Sequence, residues 1–232
     1  GAEPSDYHTA VSRYLWSGMA GRVLQPGVKA DMAAIATGDQ GLRKSSVIKS
    51  IAPFPEAFGE LDLGVKEFDL YRLMSGRLIM EMPELSGMRK REVEDIKRFV
   101  VAQENIWIEK FRATPTTYKR RCLFIGTSNE EGILVDATGN LRWLPFKAGV
   151  VSRCDPDWVT ANRDQLWAEG ITLFKANGVM FEAAEQMAKA VHDQFMEHDP
   201  WEADIVGWLN TPGIGGKPID RGYVTTAEVL RG

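Results

Sequence analysis

Met32-Ala33-Ala34-Ile35-Ala36-Thr37-Gly38-Asp39-Gln40-Gly41-Leu42-Arg43-Lys44-Ser45-Ser46 runs a short apolar segment into a glycine-punctuated turn and out through a lysine and two serines. The apolar run is too short for a helix. From Ser45 to Ala52 the apolar residues fall at 47, 48 and 51, which is helical spacing. Strand, glycine turn, helix is the reading, and Lys44 sits six residues after Gly38, as in a phosphate loop. The chemistry explains the pattern. Glycines let the backbone turn its N–H groups toward phosphate oxygens, and the helix that follows offers its positive end. The lysine places a charge on the terminal phosphates, and the Ser45 hydroxyl takes a position on Mg2+. The nucleotide-binding candidates are therefore Gly38, Asp39, Gln40, Gly41, Leu42, Arg43, Lys44, Ser45 and Ser46. Arg43 stands where a glycine commonly precedes the lysine; Gly41 can supply the permissive turn while Arg43 projects outward or toward a neighbouring subunit. A glycine turn that only caps a helix shares this outline, but the flanking strand and helix patterns favour the phosphate loop.

Working outward, Leu78-Ile79-Met80 is a second buried-strand candidate that ends on Glu81, with Glu84 three residues on. Nucleoside triphosphate hydrolysis needs a carboxylate to hold the water shell of Mg2+ and another to orient the attacking water. Open α/β sheets bind ligands at the carboxyl edge of their strands, where Glu81 would lie. An acidic turn after a strand is the plainer alternative. Cys122-Leu123-Phe124-Ile125 is a third strand candidate, and it delivers Asn129 through Gly126-Thr127-Ser128. That amide can bond a γ-phosphate or a water, or serve as an ordinary turn residue. Arg142, in Asn140-Leu141-Arg142-Trp143, is either an arginine finger neutralising phosphoryl charge on a neighbouring subunit or a surface arginine stacked on tryptophan. Loop, acidic strand, asparagine strand and arginine follow one another in chain order, which is more specific than any one of them.

The rest of the chain supplies the frame. Helical patterns cover about 7–24, 91–103, 160–176 and 181–198, and residues 105–118 read as strand, loop and strand around Thr114-Pro115-Thr116. Short buried strands alternating with helices predict an α/β protein with a parallel sheet flanked by helices and a C-terminal helical appendage. The expected divisions are an N-terminal helical segment at 1–28, a P-loop ATPase core at 29–150 with a basic hairpin at about 105–121, a helical subdomain at 151–200 and a truncated C-terminal segment at 201–232. With 232 residues and 44% hydrophobic content the chain can bury a sizeable core. Two cysteines outside any CxxC pair exclude a disulfide framework and fit a reducing cytoplasm. No apolar run is long enough to span a bilayer, and the three histidines form no ligand cluster.

Charge is unevenly placed. The net charge is −4, yet between Arg89 and Arg121 ten Lys and Arg oppose five acids, leaving +5 there and −9 elsewhere. Such a stretch is either a solvated helix face with ordinary ion pairs or a path for an anion. Lys97, Lys110, Arg112, Lys119, Arg120 and Arg121 are the candidate phosphate contacts for a single nucleic-acid strand. Trp107 and Phe111 are available either to stack on bases or to pack beneath the hairpin.

GDQGLRKSS, RLIMEMPELSGMRKREVEDIKRFV, RCLFIGTSNE, DATGNLRWLPF and NRDQLWAE together resemble the virulence-associated protein E family. Its members are phage- and island-encoded proteins with an ATPase domain similar to superfamily 3 helicases of the AAA+ class. The resemblance spans about residues 10–210. It implies a P-loop NTPase fold with Lys44 and Ser45 on ATP and Mg2+, and Glu81 and Glu84 as Walker B acids, Glu81 also toward the metal. It further implies Asn129 as sensor 1, Arg142 as arginine finger, and Lys97 on a helix leading into a DNA-facing hairpin. The implied activity is Mg2+-dependent ATP hydrolysis coupled to DNA translocation or unwinding, in a ring of about six subunits on single-stranded DNA. A nucleotide-dependent DNA-binding or regulatory assembly without productive unwinding is the alternative.

Overall fold

Five parallel strands form the centre of the described fold, in the order β2-β3-β6-β1-β7. The computed structural model of the chain describes residues 2–61, 67–85, 90–108, 113–130, 132–134 and 142–196. By contact the chain divides into residues 1–196 and 197–232, and the described fold belongs to the first unit. The helix α1 (Asp6–Leu24) precedes β1 (Ala33–Thr37), which feeds α2 (Lys44–Ile51) through the glycine turn. Next come β2 (Phe58–Glu60), α3 (Glu67–Leu73), β3 (Ile79–Met82) and α4 (Lys90–Val101). The antiparallel hairpin β4 (Glu104–Trp107) and β5 (Thr116–Lys119) stands apart from the main sheet. β6 (Leu123–Thr127) and β7 (Trp143–Lys147) complete the sheet, and α5 (Pro156–Asn177) and α6 (Glu182–Val191) follow.

The strands are buried on both faces because helices cover both. β1 and β6 are buried along their whole length, as expected for inner strands of a parallel sheet. Alternation along each strand sorts the side chains between two cores. Ala34, Ile79, Leu123, Ile125 and Leu144 join Tyr14, Met19 and Ile48 of α1 and α2. Ala33, Ile35, Met80, Met82 and Phe124 join Leu70 of α3 and Ile96 and Val100 of α4. The described C-terminal helices belong to the first of these cores rather than standing off from it. Ala184 and Ala188 of α6 are fully buried there, and Trp167 of α5 donates its indole N–H to Ile51 O at 2.9 Å.

Most expected elements are present, with shifted ends. α5 begins at Pro156, capped by Asp155, whose side chain accepts from the N–H groups of Asp157 and Trp158. The helix expected to reach 198 gives way to a 3-10 turn at His192–Phe195. β2, α3 and β7 fall where the sequence offered no clean period. β2 has only three residues and follows two prolines, and β7 carries Pro145 in its middle.

Because every pairing within the five-stranded sheet is parallel, the loops after β1, β3, β6 and β7 all emerge at one edge. The chain leaves β1 toward β2 on one side and crosses from β6 to β7 on the other, which opens a crevice at that edge.

Candidate nucleotide site

The loop after β1 is shaped by positions that favour glycine. Gly38 has φ +131°, and a Cβ there would lie 2.9 Å from Ala148 O; no other residue fits. Gly41 has φ +84° with open space around it. Arg43 holds a left-handed conformation at φ 66° as the cap residue of α2, a conformation costly for a side chain-bearing residue. Its guanidinium lies 3.6 Å from the Asp157 carboxylate, on an exposed pair. Among the described residues, the N–H groups of Gly41, Leu42 and Arg43 donate to no protein acceptor. Unpaired backbone donors grouped at a helix N-terminus form a receptor for an anion.

Lys44 crosses the loop. Its Nζ donates to Gly38 O at 2.5 Å, to Asp39 O at 3.0 Å and to Asn129 Oδ1 at 3.1 Å. One ammonium thus draws the ends of the loop together and joins them to the residue after β6. Burial pushes the Lys44 ammonium below the usual lysine range, while Cys154 and Asp39 pull it back up.

Glu81 is 1% exposed and lies on the face of β3 that looks toward α2. Thr127 Oγ1 donates to its Oε1 at 3.0 Å, and the Ser45 hydroxyl also bonds the carboxylate. Burial raises the Glu81 pKa, the Ser45 and Thr127 bonds lower it, and the Glu60 carboxylate adds to the rise. Its Oε2 is buried with no hydrogen-bond partner. A buried carboxylate oxygen left open beside a serine hydroxyl fits the donor set of a Mg2+ ion, an all-oxygen coordination that keeps several waters. Ser45 and Glu81 are the residues that would hold it, and the ion would supply charge neutralisation on phosphate oxygens.

These groups share one cleft of about 420 Å3, lined by residues 40–46, by Pro83 and Glu84, by Thr127 to Asn129, and by Arg153. Glu84 is exposed there, at φ 51°. A larger cavity of about 710 Å3 lies between α1 and α5 and is lined by none of the glycine loop, Lys44, Glu84 or Asn129, so size does not identify the site. The cleft brings together the loop, Glu84 and Asn129 as the sequence anticipates, with Glu81 bonded beneath it through Ser45 and Thr127. Arg142 lies elsewhere. β7 runs parallel to β1 with Ala33 opposite Trp143 and Thr37 opposite Lys147, so Arg142 stands at the opposite edge of the sheet, about 16 Å away at about 3.3 Å per residue.

Two residues were missed. Thr127 is legible from strand parity, because alternation in β6 puts it on the face of Leu123 and Ile125, toward Glu81. Arg153, whose Nε and Nη2 lie 3.1 and 2.6 Å from Gly41 O, has no such signal, since it meets a backbone carbonyl.

The basic cluster divides. Lys97 and Arg120 are 3% and 2% exposed. Arg120 lies over the rings of Phe99 and Phe124 at 4.4 and 5.5 Å, and its Nε donates to Asn105 Oδ1 at 2.7 Å. The interior thus takes two cations that the sequence grouped with phosphate contacts: Lys97 lies beside Ile96 on the inner face of α4, and Arg120 points inward below the hairpin. Lys119 and Arg121 are exposed, and Lys110 and Arg112 fall outside the described residues. Trp107 is buried and stacks on Tyr118 with ring centroids 4.0 Å apart.

Comparison with known proteins agrees with the fold. No curated protein matches the chain at a significant level. One solved structure, "The apo structure of NrS-1 C terminal region", aligns over all of this chain and 62% of that one, at 15% identity and a TM-score of 0.50. A second form of the NrS-1 C-terminal region aligns over 90% of this chain and 55% of that one, at 14% identity and a TM-score of 0.46. The chain thus spans less than two thirds of either. Residues 1–197 match the virulence-associated protein E-like domain, and the chain belongs to that family.

Proposed function

We propose that this chain is a P-loop NTPase of the AAA+, superfamily 3 helicase-like type. In this reading it hydrolyses ATP with Mg2+ and couples the reaction to movement on, or unwinding of, DNA during replication of a phage or mobile element. The observation that carries the proposal is the meeting of Lys44 with Gly38 O, Asp39 O and Asn129 at the edge where Glu81 bonds Ser45 and Thr127. The open N–H groups of the loop bind phosphate oxygens, and Lys44 turns from carbonyls to the terminal phosphates. Ser45 and Glu81 hold the metal, which supplies charge neutralisation. Glu84, exposed in the cleft, orients and deprotonates the attacking water, and Asn129 bonds that water or the γ-phosphate. A finger in trans, Arg142, stabilises the charge of the transition state. Exposed Lys119 and Arg121, with Lys110 and Arg112, contact a single DNA strand, and a ring of about six subunits places each site between neighbours. Lys44→Ala is expected to abolish ATP turnover, measured with and without single-stranded DNA, while leaving the melting temperature of the free protein within a few degrees. Undiminished turnover overturns the assignment.

A second reading has its own observation. Arg43 adopts a strained left-handed conformation where a glycine would be free. A loop stiffened in this way suits a module that binds nucleotide to assemble on DNA without productive unwinding. ATP-dependent strand separation supports the motor; nucleotide-dependent DNA binding without separation supports the assembly module.

A further inference from the structure

Arg153, in the loop after β7, reaches the phosphate loop. Its Nε and Nη2 both donate to Gly41 O, at 3.1 and 2.6 Å, and it borders the cleft. The chain contains no cis peptide bond among its described residues, and in a trans peptide the C=O and the following N–H point in opposite directions. A guanidinium fixed on Gly41 O therefore turns the Leu42 N–H away from itself, and that N–H takes no protein acceptor among the described residues. Gly41 cannot hold this orientation unaided. At φ +84° with open space around it, it is free to rotate the peptide between its two faces.

We propose that Arg153 is a positioning residue of the nucleotide site: its hold on Gly41 O sets the Gly41–Leu42 peptide so that the Leu42 N–H faces bound phosphate. The inference rests on the phosphate-loop reading above and adds to it a residue that acts through the backbone. It also links the β7–α5 segment to the site, because Arg153 lies two residues before the cap of α5. A shift of that segment withdraws the hold and loosens phosphate binding without touching the lysine or the acids.

The test is binding of Mg-ADP, and of inorganic pyrophosphate as a baseless probe, to the whole chain and to Lys44→Ala, Arg153→Ala, Arg153→Gln and Arg153→Lys. Melting of each nucleotide-free variant serves as a control, and the Leu42 amide resonance is followed during titration. Arg153→Ala is expected to weaken both probes about 5–10-fold, the net value of one hydrogen bond. Glutamine keeps a neutral donor for Gly41 O and is expected to bind within about twofold of the parent, with lysine intermediate. The Leu42 amide should shift downfield on pyrophosphate binding in the parent and in Arg153→Gln, but not in Arg153→Ala. If Arg153→Ala fails to fold, the glutamine variant and the Leu42 shift carry the test. Glutamine as weak as alanine, or an unmoved Leu42 amide in the parent, overturns the positioning role while loss of binding in Lys44→Ala preserves the phosphate loop. No binding of either probe by the parent overturns both.

Discussion

Glu81 is the charged residue in a strand otherwise made of Ile79, Met80 and Met82, and its environment holds a carboxylate at a cost. Burial raises its pKa above the ordinary value of 4.5, against the pull of Ser45 and Thr127. Between 4.5 and the raised value the folded chain binds more protons than the unfolded chain. The contribution of this group to stability is therefore fully present below pH 4.5 and is lost as pH rises through the folded value. Glu81→Gln removes the titration, so its urea unfolding free energy should lack the part of the decline across this window that the parent owes to Glu81. A parent profile whose decline survives the substitution unchanged refutes this account. The same variant should lose most of its ATP turnover if the carboxylate holds the metal. Function and stability here pull in opposite directions, as expected of a buried charge kept for a ligand.

At the scale of elements, parity decides what a cation does. The hairpin pairs Glu104 with Lys119 and Ile106 with Thr117, and the chain beyond β5 continues to alternate. Lys119 and Arg121 face out, while Arg120 turns in to Asn105, Phe99 and Phe124. Arg120→Ala should cost about 2–4 kcal/mol in chemical denaturation, through lost packing and an unpaired buried amide. Lys119→Ala and Arg121→Ala should each stay within about 0.5 kcal/mol of the parent. If they contact a DNA strand as proposed, their effect falls on binding: in a salt series with single-stranded DNA each should reduce the slope of log affinity against log salt by about 0.7. Unchanged slopes in both remove the hairpin from the DNA path. The parity was present in Lys119-Arg120-Arg121, but reading charge alone assigned all three to phosphates. β1 and β6 were legible because inner parallel strands are continuous apolar runs with glycine turns behind them. β7 was not, since Pro145 breaks the run and the eye goes to Arg142 for chemistry. Within the site, side chains with a chemical signature (Lys44, Glu81, Asn129) could be read from sequence. Arg153 could not, because a contact to a carbonyl oxygen leaves no mark on the partner's residue type.

For the whole molecule, the placement of Arg142 constrains how many chains a working site needs. It is exposed and stands at the amino edge of β7, while Lys44, Asn129 and Arg153 gather at the carboxyl edge. A guanidinium side chain reaches about half the ~16 Å that separates the two edges, so Arg142 cannot serve the phosphate loop of its own chain. If it is a finger, the site is complete only between subunits, and each chain gives one half-site and receives another. Mixing two inactive variants tests this. Arg142→Ala keeps a sound loop but lacks the finger, and Lys44→Ala keeps the finger but lacks the loop. Arg142→Ala alone should turn over ATP about 10³–10⁵-fold more slowly than the parent, the usual worth of such an arginine, and Lys44→Ala alone should show no turnover. In a mixed assembly, an Arg142→Ala site facing a Lys44→Ala neighbour regains its finger, so an equimolar mixture should recover up to roughly a quarter of parental turnover, given that fingers are decisive in rate. Solution mass of the mixture reports whether the chains have assembled at all. Full-rate turnover by Arg142→Ala alone excludes the finger; mixed assemblies of the correct mass that stay inactive exclude its action in trans. Recovery in the mixture is the outcome that a chain hydrolysing ATP as a monomer could not produce.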